Sequence, residues 1–221
     1  MTNATIIVLA TALLLVLLHS ERSDQRGPRL FSKTALSLLF ILAALVQPKP
    51  VSAYFTLVLI ALVFSLGGDV FLALREERMF LYGTISFLIG HLFYILAFFY
   101  LAMPGAWTIT GTVVTAILSG AVYLWFRDSL GKMKIPVIAY ILVISLMMVG
   151  AWSLLGTTGV SHSGRGAAFA GAFCFYLSDI FVARNQFLQP SFFNRLIGLP
   201  LYYLGQFLLA FSIGLIGPQA I

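Results

Sequence analysis

The sequence predicts an all-α protein, a polytopic membrane bundle of about eight transmembrane helices. Three observations predict it. The 221 residues are 61% hydrophobic and only 9% charged, where a soluble domain keeps about a quarter of its residues charged. The mean hydropathy is +1.02. Apolar runs of about 18 residues or more recur along the chain, each long enough to cross a hydrocarbon layer about 30 Å thick. Backbone groups in lipid must bond to one another, so these runs are helices.

Charge, Pro and Gly punctuate the spans in order. The first, 4–19, has no basic segment before it and is followed at once by other spans, so it reads as a first span and not a cleaved leader. A basic loop with Arg22, Arg26 and Arg29 leads into 30–46, and Pro48 and Pro50 break the chain before 51–74. The charged stretch Arg75, Glu76, Glu77 and Arg78 precedes 79–102, and Met103, Pro104 and Gly105 separate that span from 106–126. Arg127, Asp128 and Lys132 lead to 134–155; the last two spans, 166–183 and 196–217, flank a loop with Arg184 and Arg195. No soluble domain or linker remains, so residues 1–221 read as a single integral membrane domain.

Lys and Arg set the orientation, because cytoplasmic loops collect them. The odd-numbered loops hold Arg22, Arg26, Arg29, Arg75, Arg78, Arg127, Lys132, Arg184 and Arg195, with Lys33 and Lys134 just inside the adjoining spans. The even-numbered loops hold only Lys49 and Arg165. Odd loops are therefore expected in the cytoplasm and both termini outside. The low Lys and Glu content and the short loops point to a bacterial inner membrane. The net charge of +6 does not imply nucleic acid, since the basic residues are scattered singly. Cys174 is the one cysteine, so no intrachain disulfide forms.

Of seven acids, five fall in loops, and two, Asp69 and Asp179, lie within spans. An intramembrane carboxyl costs at least a few kcal/mol and marks function. Asp69 precedes Arg75, and Asp179 precedes Arg184, by roughly 8–9 Å of helix rise. Both spans run from outside to inside, so the two acids share a depth near the cytoplasmic face. Tyr140 lies at a matching depth on the sixth span, while His91 and Gln206 lie deeper on the fourth and eighth. Helical spacing groups Ser65 with Asp69, His91 with Tyr94, Tyr202 or Tyr203 with Gln206, and Tyr176 with Asp179. Each has a plainer role open to it. Ser65 and Ser178 suit bonds to their own helix backbone, Tyr202 and Tyr203 suit an interfacial belt, Lys33 suits snorkelling, and His91 and Gln206 suit interhelical hydrogen bonds.

An internal echo runs through the chain. Gly68-Asp69-Val70-Phe71-Leu72-Ala73 matches Ser178-Asp179-Ile180-Phe181-Val182-Ala183, and Leu88-Ile89-Gly90-His91 matches Tyr203-Leu204-Gly205-Gln206. It suggests a four-plus-four parallel duplication with a site between the halves.

Five pieces in order carry a family resemblance: Gly68 to Leu72; Phe87 to Tyr94 around Gly90-His91; Pro136 to Tyr140; Ser178-Asp179 with Asn185 and Phe187; and Tyr202 to Gln206. Together they resemble the YhhN-like lysoplasmalogenases, from about the second span to the eighth. Where that family commonly has Lys-Pro at the start of the second span, this chain has Ser32-Lys33-Thr34. The resemblance implies hydrolysis of the vinyl ether bond of a lysoplasmalogen to a fatty aldehyde and glycerophospho-ethanolamine or -choline, with no cofactor and no metal. It implies a lysophospholipid substrate and bilayer lipids as partners; oligomeric state is not implied.

That chemistry needs a proton donor for carbon, and a second group to stabilise an oxocarbenium ion and activate water. Two carboxyls in unlike surroundings divide such work. Asp69 and Asp179 are the expected pair, in either order, with Tyr140 or His91 orienting water or a carboxyl. Lys33 with Arg184 or Arg195 is expected at the phosphate, and Tyr94, Ser178, Asn185, Tyr202, Tyr203 and Gln206 along the substrate. A ceramidase-type metal hydrolase needs clustered histidines, and His19 and His162 lie at span ends far from His91. The alternative is a proton-coupled transporter using the paired aspartates, which calls for helices broken by Gly or Pro at mid-membrane. A scaffolding role predicts that both aspartates can be neutralised without loss of an activity.

Overall fold

Eight helices carry nearly all of residues 2–74 and 76–217, the residues described in the computed structural model. Arg75 and the side chain of Glu77, read above as loop charges, lie outside the described residues. The helices are α1 (Asn3–Arg22), α2 (Arg26–Val46), α3 (Ser52–Leu74), α4 (Glu77–Leu101), α5 (Ala106–Phe126), α6 (Lys134–Leu155), α7 (His162–Ala183) and α8 (Phe192–Leu215). All eight are long and apolar enough to cross a membrane, as expected of an integral, multi-pass membrane protein. Large apolar side chains such as Ile109, Ile117 and Leu124 of α5 point outward, toward lipid rather than a protein core.

Three helices begin about a turn earlier than the punctuation suggests. Pro28 sits in the first turn of α2, where its missing N–H would have no intrahelical partner in any case. In α7, Ser161 caps the helix by accepting from the Gly164 N–H at 3.2 Å, so Gly164 and Gly166 lie inside the helix. Gly164 is there for packing: a Cβ would come within 2.7 Å of the Leu215 carbonyl oxygen. α8 starts at Phe192 and carries Pro200 in its interior without interruption, a substitution lipid-buried helices tolerate when neighbours pack around the freed carbonyl. Every span is continuous through its middle among the described residues, so the broken helices that a transporter calls for are not seen.

The helices pack as two similar runs. α1 to α4 are neighbours in sequence order, as are α5 to α8, and the tightest pairings are α3 with α4 and α7 with α8. Between runs, α4 packs on α6 and α8 packs on α2, so the fourth helix of each run lies against the second helix of the other. The echo holds in register as well. A Cβ on Gly90 would stand 3.1 Å from the Ala61 carbonyl oxygen, and one on Gly205 2.8 Å from that of Gly171. Ala61 and Gly171 each lie eight positions before the aspartate of their own helix. Glycine lets these backbones close up where lipid supplies no hydrophobic drive.

Candidate active site

At the end of the bundle where the odd-numbered loops gather, a cavity of about 560 Å³ opens between α2, α3, α4, α6, α7 and α8, with α5 along one side. Its mouth is polar, with Glu21, Glu76, Asn185, Asn194 and Arg195, and its walls toward α5 and α6 are apolar, with Val122, Val137, Ile141 and Ile144. Asp69, Asp179, Tyr140, Tyr202 and Lys33 all line it. The two intramembrane acids, 110 positions apart in the chain, therefore share one space.

Asp69 is 2% exposed and ringed by donors. Tyr202 Oη–H donates to its Oδ2 at 2.7 Å. Ser37 Oγ–H is shared between that same oxygen at 2.7 Å and the Lys33 carbonyl at 2.9 Å. Lys33 Nζ stands 3.7 Å from Oδ1. Lys33 and Ser37 fall one turn apart on α2, so a single helix face delivers both. An ionised carboxylate accepts all of these bonds with no proton left over, and the lysine offsets its charge.

Asp179 has a different shell. Tyr140 Oη–H donates to its Oδ2 at 2.6 Å, and His91 Nε2 lies 2.9 Å from Tyr140 Oη and 3.5 Å from Asp179 Oδ2. With the phenol proton directed at Asp179, the Nε2–H of a neutral imidazole donates to Tyr140, which leaves Nδ1 bare; Nδ1 is buried without a partner among the described residues. No Lys or Arg among the described residues pairs with Asp179, whose side chain is 16% exposed, toward the cavity. Phe87 and Phe175 stand between the halves. Phe175 lies 4.7 Å from the His91 ring and 5.2 Å from that of Tyr202, centroid to centroid.

Not every expected residue faces this space. His91 is fully buried behind Tyr140, outside the lining, and meets the cavity through Tyr140 and Asp179. Tyr94 Oη–H donates to Gln206 Oε1 at 2.7 Å, and Gln206 Nε2–H donates to Ser65 Oγ at 3.2 Å, a buried strut among α3, α4 and α8 below the cavity. Ser178 donates to the Phe175 carbonyl at 2.7 Å, and Tyr203 is buried outside the lining. Arg184 is not part of the lining but donates to Asn194 Oδ1 at 2.6 Å at the mouth, whereas Arg195 lines the mouth itself. Asn185 lines the mouth too, and its Oδ1 accepts from the Ser191 N–H at 3.1 Å. It sits in the π-helical turn Arg184–Leu188 that closes α7, a distortion found often beside functional sites.

Sequence reasoning missed Ser37 and placed Glu21 in a loop. Glu21 lies in the last turn of α1, is 7% exposed and pairs with Arg195 at 2.9 Å. The spacing of Ser37 from Lys33 was a usable signal; nothing local marks Glu21, whose partner is 174 positions away. Among the described residues, no three of His, Cys, Asp and Glu gather closely enough to hold a metal ion.

Comparison with known proteins bears on this geometry. A family model described as the YhhN family matches residues 28–213. The chain is 33% identical over 159 residues to human lysoplasmalogenase TMEM86A, covering 71% of this chain and 65% of that one. It is 28% identical over 173 residues to the lysoplasmalogenase of Mycobacterium tuberculosis, covering 76% and 62%. The corresponding figures for mouse lysoplasmalogenase TMEM86B are 32% over 152 residues, 69% and 61%. The chain thus spans a little under two thirds of the length of these relatives. No solved structure matches it. Since the match runs from α2 to α8 and takes in both aspartates, the chain belongs to the YhhN family.

Proposed function

We propose that this protein is a lysoplasmalogenase: it hydrolyses the vinyl ether bond of a lysoplasmalogen to a fatty aldehyde and glycerophospho-ethanolamine or -choline. The observation that carries the proposal is the pair of carboxyls, Asp69 and Asp179, facing one cavity with a polar mouth and an apolar inner wall. The relatives named lysoplasmalogenase support it.

In this reading Asp179 delivers a proton to the β-carbon of the alkenyl chain. A C–H bond forms there as the ether oxygen's lone pair closes the oxocarbenium ion. Asp69, held charged by Lys33, stabilises that cation and takes a proton from the water that attacks it. The resulting hemiacetal collapses: Asp69 gives its proton to the glycerol oxygen as the C–O bond breaks, and the hemiacetal hydroxyl gives its proton to Asp179, so both carboxyls return to their starting state. One water is consumed, and aldehyde and glycerophospho-alcohol are produced. Tyr140 and His91 hold the Asp179 carboxyl in line and act as positioning residues. The unlike shells of the two acids are what such a division of labour requires. The alkenyl chain lies along Val137, Ile141 and Ile144. The mouth faces the cytoplasm, as the placement of Lys and Arg argues.

The test is aldehyde release from a defined lysoplasmalogen by purified protein in detergent with EDTA present, beside folded Asp69→Asn and Asp179→Asn. Parent activity that falls by about 10²-fold or more in each variant supports the mechanism. Undiminished activity in both variants would remove the aspartates from the chemistry, and no release by intact protein would remove the hydrolase.

A further inference from the structure

The apolar arm of the cavity, between α5, α6 and α7, is short. Among the described residues, its lining positions farthest from the mouth are Val122 of α5, Ile144 of α6 and Tyr176 of α7. Ile144 lies one turn beyond Tyr140, and Tyr176 one turn beyond Asp179, so about 5–6 Å of helix rise separates the carboxyl from the end of the arm. Met147, Met148 and Ala172, farther in, are buried in the core.

A line of hydroxyls fixes this floor. Ser145 Oγ–H goes to the Ile141 carbonyl at 2.6 Å, so Ser119 Oγ–H turns to Ser145 Oγ at 2.6 Å and Tyr176 Oη–H to Ser119 Oγ at 2.8 Å. These bonds tie three helices at one level, as polar links do in lipid, and hold the phenol ring across the arm. Beyond that level aromatic rings fill the seam between the same helices. Trp107 stacks on Trp152 at 6.0 Å, Trp152 meets Phe169 at 4.8 Å, and Phe169 stacks on Phe173 at 6.2 Å, centroid to centroid. Gly111 of α5 lies so close to the Trp152 side chain that a Cβ would not fit. Toward the mouth the seam is different. There α5 packs on α6 but meets α7 through the Ser119–Tyr176 bond and, at the mouth, through the π-helical turn Arg184–Leu188. Between these two contacts Val122 and Phe126 of α5 border the cavity together with Ile180 of α7. Tyr123 and Leu177, beside this window, are half-buried.

Length decides where a lipid chain can go. The chain of a bilayer lipid spans half of a hydrocarbon core about 30 Å thick, well beyond the depth that the arm offers. With its reacting end at Asp179, such a chain meets Tyr176 after its first few carbons and has to turn. The core ahead is filled and the seam beyond Tyr176 is closed by rings. We propose that the window between α5 and α7 holds the alkenyl chain, with its far carbons left in the bilayer, and that Tyr176 is the floor that turns it. The inference rests on the lysolipid reading and adds to it the path of the chain. Carbons beyond the turn lie in lipid, so extra chain length carries no penalty.

The experiment is photo-crosslinking in phosphatidylcholine nanodiscs with a long-chain saturated alkyl-ether lysolipid, which lacks the vinyl double bond. Its diazirine sits either near the ether oxygen or midway along the chain. Labelled residues are read by peptide mass spectrometry, with and without an excess of the unlabelled ether lipid. The near-ether probe is expected on Ile141, Ile144 or Tyr176, and the mid-chain probe on Tyr123 or Leu177, both lost on competition. In Tyr176→Ala the mid-chain label should move inward to Met148 or Ala172; in Tyr176→Phe, which keeps the ring, it should stay. Mid-chain label on Met147, Met148 or Ala172 of the parent overturns the proposal without recourse to a variant. So does competed label confined to the mouth, or label on α5 and α7 that the unlabelled lipid does not displace. Label that stays in place in folded Tyr176→Ala would remove Tyr176 as the floor. Hydrolysis is read separately: the expected labelling without aldehyde release from the vinyl ether counterpart would refute the hydrolase and leave the chain path. Release with labelling elsewhere would do the reverse.

Discussion

Lys33 is the side chain on which the Asp69 half of the site depends. Both partners are nearly sealed, at 10% and 3% side-chain exposure, so removing the cation leaves a charged carboxylate with hydroxyl donors only. Breaking a pair of this kind costs about 3–5 kcal/mol. Lys33→Met should therefore lower the unfolding free energy in detergent by about that amount, and Lys33→Met with Asp69→Asn should recover most of the loss. A single variant as stable as the parent would mean that Asp69 carries no charge to balance. The residues of the site were legible to unequal degrees, for a physical reason. Asp69, Asp179 and Lys33 stand out because a charge inside a span is too unfavourable to be incidental. Ser37 does not, because a hydroxyl within a span ordinarily bonds its own helix, and Ser37 does so while also reaching Asp69. For Ser178 the ordinary role is all that is seen. Tyr94 and Gln206 had their depth legible but not their direction; they brace three helices instead of lining the cavity.

The helices themselves were readable because each is a local matter of apolar length. Their ends were less so. Glycine was taken as punctuation at the start of α7, where Gly164 is a packing residue and Ser161 supplies the start signal. The same ambiguity predicts opposite outcomes for two glycines that each lie inside a helix. A Cβ on Gly205 would lie 2.8 Å from the Gly171 carbonyl oxygen and 3.0 Å from the Phe175 nitrogen, backbone atoms with nowhere to move. Gly205→Ala should force α7 and α8 apart and destabilise by about 1–3 kcal/mol. Gly120 of α5 has nothing within 4 Å, so Gly120→Ala should be neutral, or stabilising by up to about 1 kcal/mol through helix propensity. Thermal unfolding in one detergent compares the two, and equal effects would show that the close approach of α7 and α8 is not what Gly205 provides. Because Tyr202 sits one turn from Gly205, a spread pair would also draw its phenol from Asp69.

Eight spans place both termini on one side of the membrane, and the cavity opens at the end that carries the odd-numbered loops. The placement of Lys and Arg predicts that this end faces the cytoplasm. With Cys174 replaced by Ala, single cysteines at Gln25 and Ser129 should be shielded in intact cells from a membrane-impermeant thiol reagent, and those at Lys49 and Met103 should react. The inverse pattern would turn the mouth outward and leave the family assignment untouched. The chain's composition by itself determined that it is an eight-helix membrane protein and which two carboxyls are out of place, because partition between water and lipid is settled span by span. It did not determine which face of each helix turns inward. Tyr202 reaches Asp69 across 133 positions of chain, Tyr140 stands between His91 and Asp179, and Arg195 closes on Glu21 from the far end of the sequence. Those meetings depend on how distant helices pack, a relation that no local window contains, and only the tertiary structure decided them.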